Sequence, residues 1–256
     1  MEALSYSLGF LERISTIPKL LGARSTVVLL PPYAFAVPVG EVREARRSLE
    51  HIFVYRDYER LAEFSPETAS RIVDLGAYLG FFTVRSLLLS KSSRAVAVEA
   101  NPLSCVYTHW NIALHGLNGR ARVICSAVDS ERGLGKLYVG ESMVNSSLLR
   151  EYVEEYTSVV GERWVPKITL DDVFRLSGFE RIDLLKVDVE GVEYRVLSAS
   201  KAALEHYDVQ RIVVEVHEGF STAKKLSEAL GAEYTTYIVV DESAPNQSFL
   251  YAVRKR

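Results

Sequence analysis

Acidic side chains follow several apolar stretches of this sequence, each where the stretch ends. Asp74 and Glu99 follow the first two such stretches, a later one ends in Asp188 and Glu190, and His217 follows the last. Carboxylates held close together repel one another unless a proton or a cation lies between them, so such clusters seldom serve stability alone. If the fold brings these strand ends together, their side chains could bind a cationic ligand, transfer a proton or hold a metal ion.

Asp74 opens a glycine-containing loop, Asp74-Leu75-Gly76-Ala77-Tyr78-Leu79-Gly80, between an apolar run and a helix-like segment. Gly76 permits a sharp turn with positive φ, and Gly80 lets the start of the helix lie close to the strand or to a ligand. Asp74 would repel an anionic pyrophosphate and attract a ligand with ammonium and sulfonium charges. S-adenosylmethionine is such a ligand, although the same spacing also occurs in ordinary strand-to-helix turns.

Glu99 lies 25 positions beyond the first acid, at the end of a predicted second strand. In a doubly wound sheet this position faces the ribose of a bound nucleotide. A carboxylate there can accept hydrogen bonds from the ribose hydroxyls. The alternative is a surface glutamate that caps the next helix. Ala100 and Asn101 lead into that helix, and Asn101 is its predicted cap residue. Ala127 lies near the end of a predicted third strand over residues 121–128, where an adenine edge would lie.

Apolar runs alternate with helical patterns along the chain, which predicts an α/β fold with a doubly wound, mostly parallel sheet. The run over 182–189 has the apolar character of a strand buried on both faces. Strand order in this fold places the fourth strand beside the first, so Asp188 and Glu190 should share a crevice with Asp74. Further strands are predicted over 167–170, 211–217, 234–240 and 248–253, with helices starting near Ser147 and capped by Asp171 or Asp172.

The residues before the glycine loop predict a separate extension. Residues 1–66 form this N-terminal cap and residues 67–256 the ligand-binding domain. The cap has a helical pattern at Leu8, Leu11, Ile14 and Ile17, then two strands over 27–30 and 33–39 and a helix over 41–52. It has too few apolar positions for a core of its own, so we expect it to pack on the main domain and to wall a substrate pocket.

Charge and cysteine content exclude some classes of protein. The net charge of −3 and the lack of a Lys/Arg block argue against a large nucleic-acid surface. Arg43, Arg46 and Arg47 alternate with glutamates, as on a solvated helix face. Cys105 and Cys125 lie in apolar surroundings without metal-ligand spacing, which predicts buried reduced thiols and a cytoplasmic protein.

No signal peptide and no membrane span are expected from the apolar pattern. Asn, Gln, Met and Cys are scarce while Arg and Glu are plentiful, a composition typical of a thermophilic source.

Four motifs in order along the chain carry a resemblance to the FkbM family of S-adenosylmethionine-dependent methyltransferases. The resemblance implies the class I methyltransferase fold, Rossmann-like, with a seven-stranded, mostly parallel sheet whose last strand is antiparallel. It also implies that the cofactor lies over Asp74, Gly76, Gly80 and Glu99. Tyr78 departs from the family, which often has Asn there. The motifs are Val73-Asp74-Leu75-Gly76-Ala77-Tyr78-Leu79-Gly80-Phe81-Phe82-Thr83, Val98-Glu99-Ala100-Asn101-Pro102, Ile168-Thr169-Leu170-Asp171-Asp172 and Asp183-Leu184-Leu185-Lys186-Val187-Asp188-Val189-Glu190-Gly191-Val192-Glu193.

These observations predict two sets of site residues. Asp188, Glu190 and His217 form the catalytic set, with Asp188 nearest the methyl group, Glu190 on the acceptor side and His217 a second candidate base. The trio could instead hold Mg²⁺, and Glu190 could instead cap the helix after Gly191. Lys186 is expected to reach solvent or to pair with Asp183 or another nearby acid. The cofactor set is Asp74, Gly76, Ala77, Tyr78, Gly80, Glu99, Ala100, Asn101, Ala127 and Asp188.

The expected reaction is methylation of a hydroxyl on a sugar or another small molecule. Enzymes that methylate amines of nucleic acids commonly carry an Asn/Asp-Pro-Pro-aromatic loop after the fourth strand. This chain has Asp188-Val189-Glu190-Gly191 at that place, which favours a hydroxyl acceptor. One alternative is an RNA (tRNA) methyltransferase that binds substrate through the N-terminal extension. A second is a nucleotide-binding module that is not catalytic or binds NAD.

Overall fold

The computed structural model describes residues 24–240 and 247–255. The helix predicted from Leu8, Leu11, Ile14 and Ile17 lies outside the described residues. Within them, no helix combines the length and the apolar character needed to cross a bilayer.

A central sheet of seven strands organises the described part of the chain. The strand at position 248–254 runs antiparallel to both of its neighbours, and the other pairings in the sheet are parallel. The predicted α/β architecture with an antiparallel last strand is therefore confirmed. In sheet order, the strands are β12 (Tyr234–Val240), β13 (Ser248–Arg254), β11 (Arg211–Val216), β10 (Leu184–Val187), β3 (Arg71–Leu75), β4 (Arg94–Glu99) and β5 (Ala121–Cys125).

Strand β10 lies directly beside β3, as strand order predicted, with Lys186 opposite Asp74. All four residues of β10 are buried, which fits a strand covered by helices on both faces. The acids that follow β3 and β10 therefore emerge at the same edge of the sheet.

Helices connect the parallel strands. Asp172 closes the capping box at the start of the helix over 170–177: Thr169 Oγ1 accepts a bond from the Asp172 N–H, and the Asp172 carboxylate accepts one from the Thr169 N–H. Thr169, rather than Asp171 or Asp172, is thus the cap residue. The α-helices are α1 (Val42–Leu49), α2 (Phe81–Leu89), α3 (Pro102–Leu114), α4 (Arg150–Tyr156), α5 (Leu170–Ser177), α6 (Glu193–Ser198), α7 (Lys201–His206) and α8 (Gly219–Leu230).

A second sheet takes over part of the predicted third strand. The strand predicted over 121–128 ends at Cys125. From Ala127 the chain belongs to a different sheet, in which Ala127 pairs with Lys167 and not with β4. The helix predicted to begin near Ser147 is α4, which begins slightly later, at Arg150, after Ser147 Oγ accepts a bond from the Leu149 N–H. The second sheet contains β6 (Ala127–Val128), β9 (Gly161–Ile168), β7 (Gly133–Val139) and β8 (Ser146–Ser147).

The N-terminal part packs on the central sheet. Strands β1 (Ser25–Leu30) and β2 (Tyr33–Pro38) form the predicted hairpin, and α1 continues into a π-helical segment, Glu50–Tyr55. Phe35 lies edge-on to Phe81 of α2 with 4.9 Å between ring centroids, and both belong to one hydrophobic cluster. The extension thus shares its core with the sheet, while a domain boundary near residue 66 stays a prediction.

Cys105 in α3 and Cys125 at the end of β5 form a disulfide. Helix α3 packs against β5 and places the two Cα atoms 5.7 Å apart, within the range that a disulfide spans. The prediction of reduced thiols is therefore wrong, and the cytoplasmic location inferred from it loses its basis. The sequence could not show the contact, because 20 positions separate the residues and only the crossover from β4 to β5 brings them together.

Reducing this disulfide should lower the free energy of unfolding by about 3 kcal/mol, because the open chain regains loop entropy. The measurement is guanidinium unfolding with and without a phosphine reductant, with Cys105→Ala/Cys125→Ala as the reductant-insensitive control. Two thiols that react with a thiol reagent in the denatured, unreduced protein would contradict the pairing.

Candidate functional site

The loop after β3 turns sharply over the end of β4. The N–H groups of Gly76 and Ala77 both donate to the Val98 carbonyl oxygen, at 2.9 and 3.0 Å. Gly76 has a φ of 72°, and a Cβ there would overlap the Asp188 carbonyl oxygen. This close approach requires glycine. It holds the Asp188 backbone tightly against the loop.

Asp74 lies beneath this loop rather than in a cavity. Its fully buried carboxylate accepts a bond from Thr83 Oγ1 at 2.6 Å and lies 3.2 Å from Lys186 Nζ. Burial raises the pKa of Asp74, and the nearby Lys186 opposes that shift. Asp74 is therefore placed to support the loop from below.

Lys186 is buried and does not reach solvent, and the predicted pairing with a nearby acid is confirmed by Asp74 and Asp188. Its Nζ donates to the Gly76 carbonyl oxygen at 2.7 Å and lies 3.1 Å from the Asp188 carboxylate. Burial lowers the pKa of Lys186, but the carboxylates of Asp188 and Asp74 outweigh it and the pKa is raised. The ammonium thus stays charged and links the ends of β3 and β10. Asp183 pairs with Arg71 instead.

Glu99 emerges from β4 beside the loop. One of its oxygens accepts a bond from the Tyr78 N–H and the other from the Asn101 N–H, each at 2.7 Å. Burial raises the pKa of Glu99 to about 7, and the two N–H donors partly offset it. The Asn101 side chain caps α3 by accepting from the Leu103 N–H, as predicted.

Two cavities meet at the carboxyl ends of β3, β4 and β10. The narrower lies between the loop and the second sheet, and the larger, of about 720 Å³, lies between the loop and α1. Gly76, Tyr78, Asp188 and Glu190 line both. Asp74, Gly80 and Asn101 of the predicted cofactor set line neither, and Ala77 lines the larger one. The narrower cavity contains the rest of that set, namely Gly76, Tyr78, Glu99, Ala100, Ala127 and Asp188.

The three residues predicted to be catalytic come together where the cavities meet. His217 Nε2 lies 3.6 Å from an Asp188 oxygen, 3.7 Å from a Glu190 oxygen and 3.9 Å from Glu215. Ligand atoms from Asp188, Glu190 and His217 all lie within 4.8 Å of one another, so the group could also hold a metal ion. Convergence from β10 and β11 follows from their pairing in the sheet.

Glu193 fixes the orientation of His217 and was missed from the sequence. One Glu193 oxygen lies 3.0 Å from His217 Nδ1 and accepts bonds from the N–H groups of Val189 and Gly191, at 3.2 and 3.1 Å. With Nδ1 held, Nε2 faces the other carboxylates. Glu193, not Glu190, accepts bonds from the amides of the loop before α6, and none of the described side chains caps α6, so the helix-cap alternative for Glu190 is wrong. The sequence signal that could have identified Glu193 was its position in the fourth motif.

Tyrosines complete the cluster, and no sequence pattern marked them. The Tyr152 hydroxyl donates to Glu190 at 2.6 Å, and the Tyr58 hydroxyl hydrogen-bonds to both Asp188 and Glu215. A phenol has a single proton, so both bonds form together only if one of the carboxyl groups is protonated. Burial, followed by the charge of Asp188, raises the pKa of Glu215, so Glu215 fits the role of the protonated carboxyl group.

The acids differ in charge state because their surroundings differ. Burial raises the pKa of Asp188, but Lys186 and His217 outweigh it and the pKa is lowered. Burial raises the pKa of Glu190 to about 8, although His217 opposes the shift. Burial lowers the pKa of His217, but Glu190 and Glu193 raise it well above its usual value. At neutral pH the cluster therefore contains an ionised Asp188, a charged His217 and a carboxyl of Glu190 that still holds its proton.

Comparison with known proteins identifies the family. The chain is 30% identical over 200 residues to Methyltransferase 1 of Beauveria bassiana (strain ARSEF 2860), covering 71% of this chain and 78% of that protein. It is 31% identical over 215 residues to Methyltransferase sdnD of Sordaria araneosa, covering 72% and 81%. An O-methyltransferase from Bacillus cereus, solved in complex with SAH, is 12% identical, with a TM-score of 0.46 and coverage of 81% and 96%. The family described as Methyltransferase FkbM domain matches residues 74–249, more than half of the chain, and the protein therefore belongs to the FkbM family of methyltransferases.

Proposed function

We propose that this methyltransferase binds S-adenosylmethionine in the narrower cavity and methylates a hydroxyl of a small molecule, such as a sugar, in the larger one. The observation that carries the proposal is the shared lining of the two cavities by Asp188 and Glu190. A methyl group and its acceptor must meet in line, so the reaction needs two adjoining sites. The larger cavity has the volume of a small-molecule site.

The residues of the narrower cavity fit a ligand with ammonium and sulfonium charges. Asp188 remains ionised there, and Gly76 lets the loop lie directly against the Asp188 backbone. Glu99 retains a lone pair on each oxygen after accepting its two backbone bonds, so it can accept bonds from ribose hydroxyls. Ala127 offers an apolar wall suited to an adenine ring. Asp74 supports this surface through Lys186 and lines neither cavity.

When bound, S-adenosylmethionine supplies the methyl group as a sulfonium, whose departure needs no acid. The chain must align the acceptor and take up its proton. Glu190 faces both cavities and has a pKa near the working pH, so we assign it as the base. His217 favours the ionised form of Glu190, and Glu193 and Tyr152 fix the orientation of the pair. Asp188 lines both cavities and is held by Lys186 and Tyr58.

S-adenosylhomocysteine should raise the melting temperature of the protein, because a ligand that binds only the folded state stabilises it. NAD is the matched comparison, since it also contains adenosine but adds an anionic pyrophosphate. Stabilisation by NAD with none by S-adenosylhomocysteine would contradict the proposal and support the NAD-binding alternative.

Replacing Glu99 with alanine should weaken S-adenosylhomocysteine binding by about tenfold to a hundredfold, since charge-assisted hydrogen bonds to the ribose are lost. Calorimetric titration measures the change. Glu131→Ala is the control because that side chain is exposed and belongs to neither cavity lining. Equal affinity in the Glu99 variant would remove Glu99 from the cofactor site.

A further inference from the structure

Basic side chains line part of the larger cavity. Arg43, Arg47 and His51 follow one another at intervals of four residues along α1 and its π-helical continuation, and all three line the cavity. Residues four apart share one face of a helix, so these side chains form a single row. The sequence predicted only a solvated helix face here, but in the structure this row belongs to the cavity.

The two arginines of the row carry more positive charge than their paired carboxylate can neutralise. Arg43 and Arg47 share one carboxylate, that of Glu44, at 3.8 and 3.2 Å, and their side chains are 79% and 58% exposed. His51 Nδ1 lies 2.5 Å from Asp57, whose other oxygen accepts two bonds from Arg60. The hydrogen bond from Asp57 raises the pKa of His51, although burial opposes the shift. Guanidinium groups retain several donors after one such pair, which suits them to oxyanions.

Asp188, Glu190 and Glu215 line another part of the same cavity, with Lys186 and His217 among them. A neutral hydroxyl can approach Glu190 there, whereas an oxyanion would face the ionised carboxylate of Asp188. A ligand with a hydroxyl at one end and an oxyanion at the other therefore matches the cavity in one orientation only.

We propose that the acceptor carries an anionic group, a carboxylate or a phosphate, which Arg43, Arg47 and His51 bind while its hydroxyl reaches Glu190. This substrate class rests on the proposed methyl transfer, but binding of the anion does not depend on it. The row then selects both the substrate and its orientation, because an acceptor bound the other way would place its anion against the acids.

Paired probes test the charge preference on the full chain by calorimetry, with and without S-adenosylhomocysteine. One pair is p-nitrophenyl β-D-glucuronide and p-nitrophenyl β-D-glucoside, which differ in the carboxylate, and the other is glucose 6-phosphate and glucose. We expect the anionic member of at least one pair to bind about tenfold more tightly than its neutral partner, the value of one charge-assisted hydrogen bond. The preferred pair distinguishes carboxylate from phosphate.

The double variant Arg43→Gln/Arg47→Gln should remove this preference, and Lys91→Gln/Arg94→Gln should keep it. The control pair removes the same charge from exposed positions at the amino end of the sheet. Equal binding within both pairs, or an unchanged preference in the Arg43/Arg47 variant, overturns the inference. A third outcome also overturns the inference: the protein binds tRNA tightly, the Arg43/Arg47 variant does not, and neither small anion is preferred over its neutral partner. The row would then bind a polynucleotide. Failure of S-adenosylhomocysteine to bind contradicts the proposed function alone, because the probes are also titrated without it.

Discussion

Changing Glu190 to glutamine should slow methyl transfer by about 10²- to 10⁴-fold, the usual contribution of a positioned base. The affinity for S-adenosylhomocysteine should change by less than about threefold, since Asp188 and Glu99 remain. The substitution keeps the shape of the side chain, and the Tyr152 hydroxyl can still donate to the amide oxygen. An amide cannot take up the proton that the acceptor hydroxyl loses, so the loss should appear in the rate of the bound complex.

The pH profile separates this role from a structural one. The base must be deprotonated to act, and the pKa of Glu190 lies at about 8. The wild-type rate should therefore rise as pH increases from 6 to 9, with its midpoint near that pKa. In Glu190→Gln the remaining slow reaction should lack this rise. A variant that only disturbed the fold would lower the rate at every pH and leave the midpoint in place.

The measurement is transfer of a labelled methyl group into the acceptor, identified first by screening sugar, lipid, protein and RNA fractions. Glu154→Gln is the matched control, because it makes the same change on the exposed surface of α4. Unchanged turnover in Glu190→Gln would exclude Glu190 as the base and leave His217 as the remaining candidate.

The sequence predicted the part of the site that depends on strand order. Asp188 and Glu190 follow a strand that is buried on both faces, and parallel strands end at a common edge, so their approach to the glycine loop could be inferred. His217 could be added for the same reason, since β11 continues the sheet. Whether an acid faces a ligand or supports the loop depends on packing below the residue. The sequence therefore could not show that Asp74 supports the loop from below and lines neither cavity.

Contacts between segments distant in sequence could not be predicted in this way. Tyr58 reaches Asp188 across 130 positions from a short 3₁₀ turn that has no periodic pattern. The row on α1 looked like an ordinary solvated face, because its sequence does not show that a cavity lies against it. Lys186 was expected to pair with a nearby acid, but its two partners, Asp74 and Asp188, could be identified only once β3 and β10 lay side by side. In each case the missing information was a tertiary neighbour rather than a local propensity.

Replacing Gly76 with alanine should lower the free energy of unfolding by more than about 4 kcal/mol and abolish S-adenosylhomocysteine binding, an effect at the extreme of single substitutions. The new Cβ would overlap the Asp188 carbonyl oxygen, a backbone atom that cannot rotate away. The Asp188 N–H also bonds the Leu75 carbonyl at 3.1 Å, so relief requires β3 and β10 to separate at their ends. Separation would move Asp188 and Glu190 out of the junction between the cavities.

Gly116→Ala isolates the overlap from backbone strain. Gly116 has a φ of 68°, close to the 72° of Gly76, but a Cβ there meets no atom within 4 Å. Its cost should be the ordinary penalty of about 1–2 kcal/mol for a side chain in the left-handed region, with ligand binding intact. Urea unfolding and calorimetry on both variants give the comparison. Equal losses of stability and of ligand binding in the two variants would mean that the loop can move away from Asp188. The tight contact between loop and strand could then not explain how the two cavities are joined.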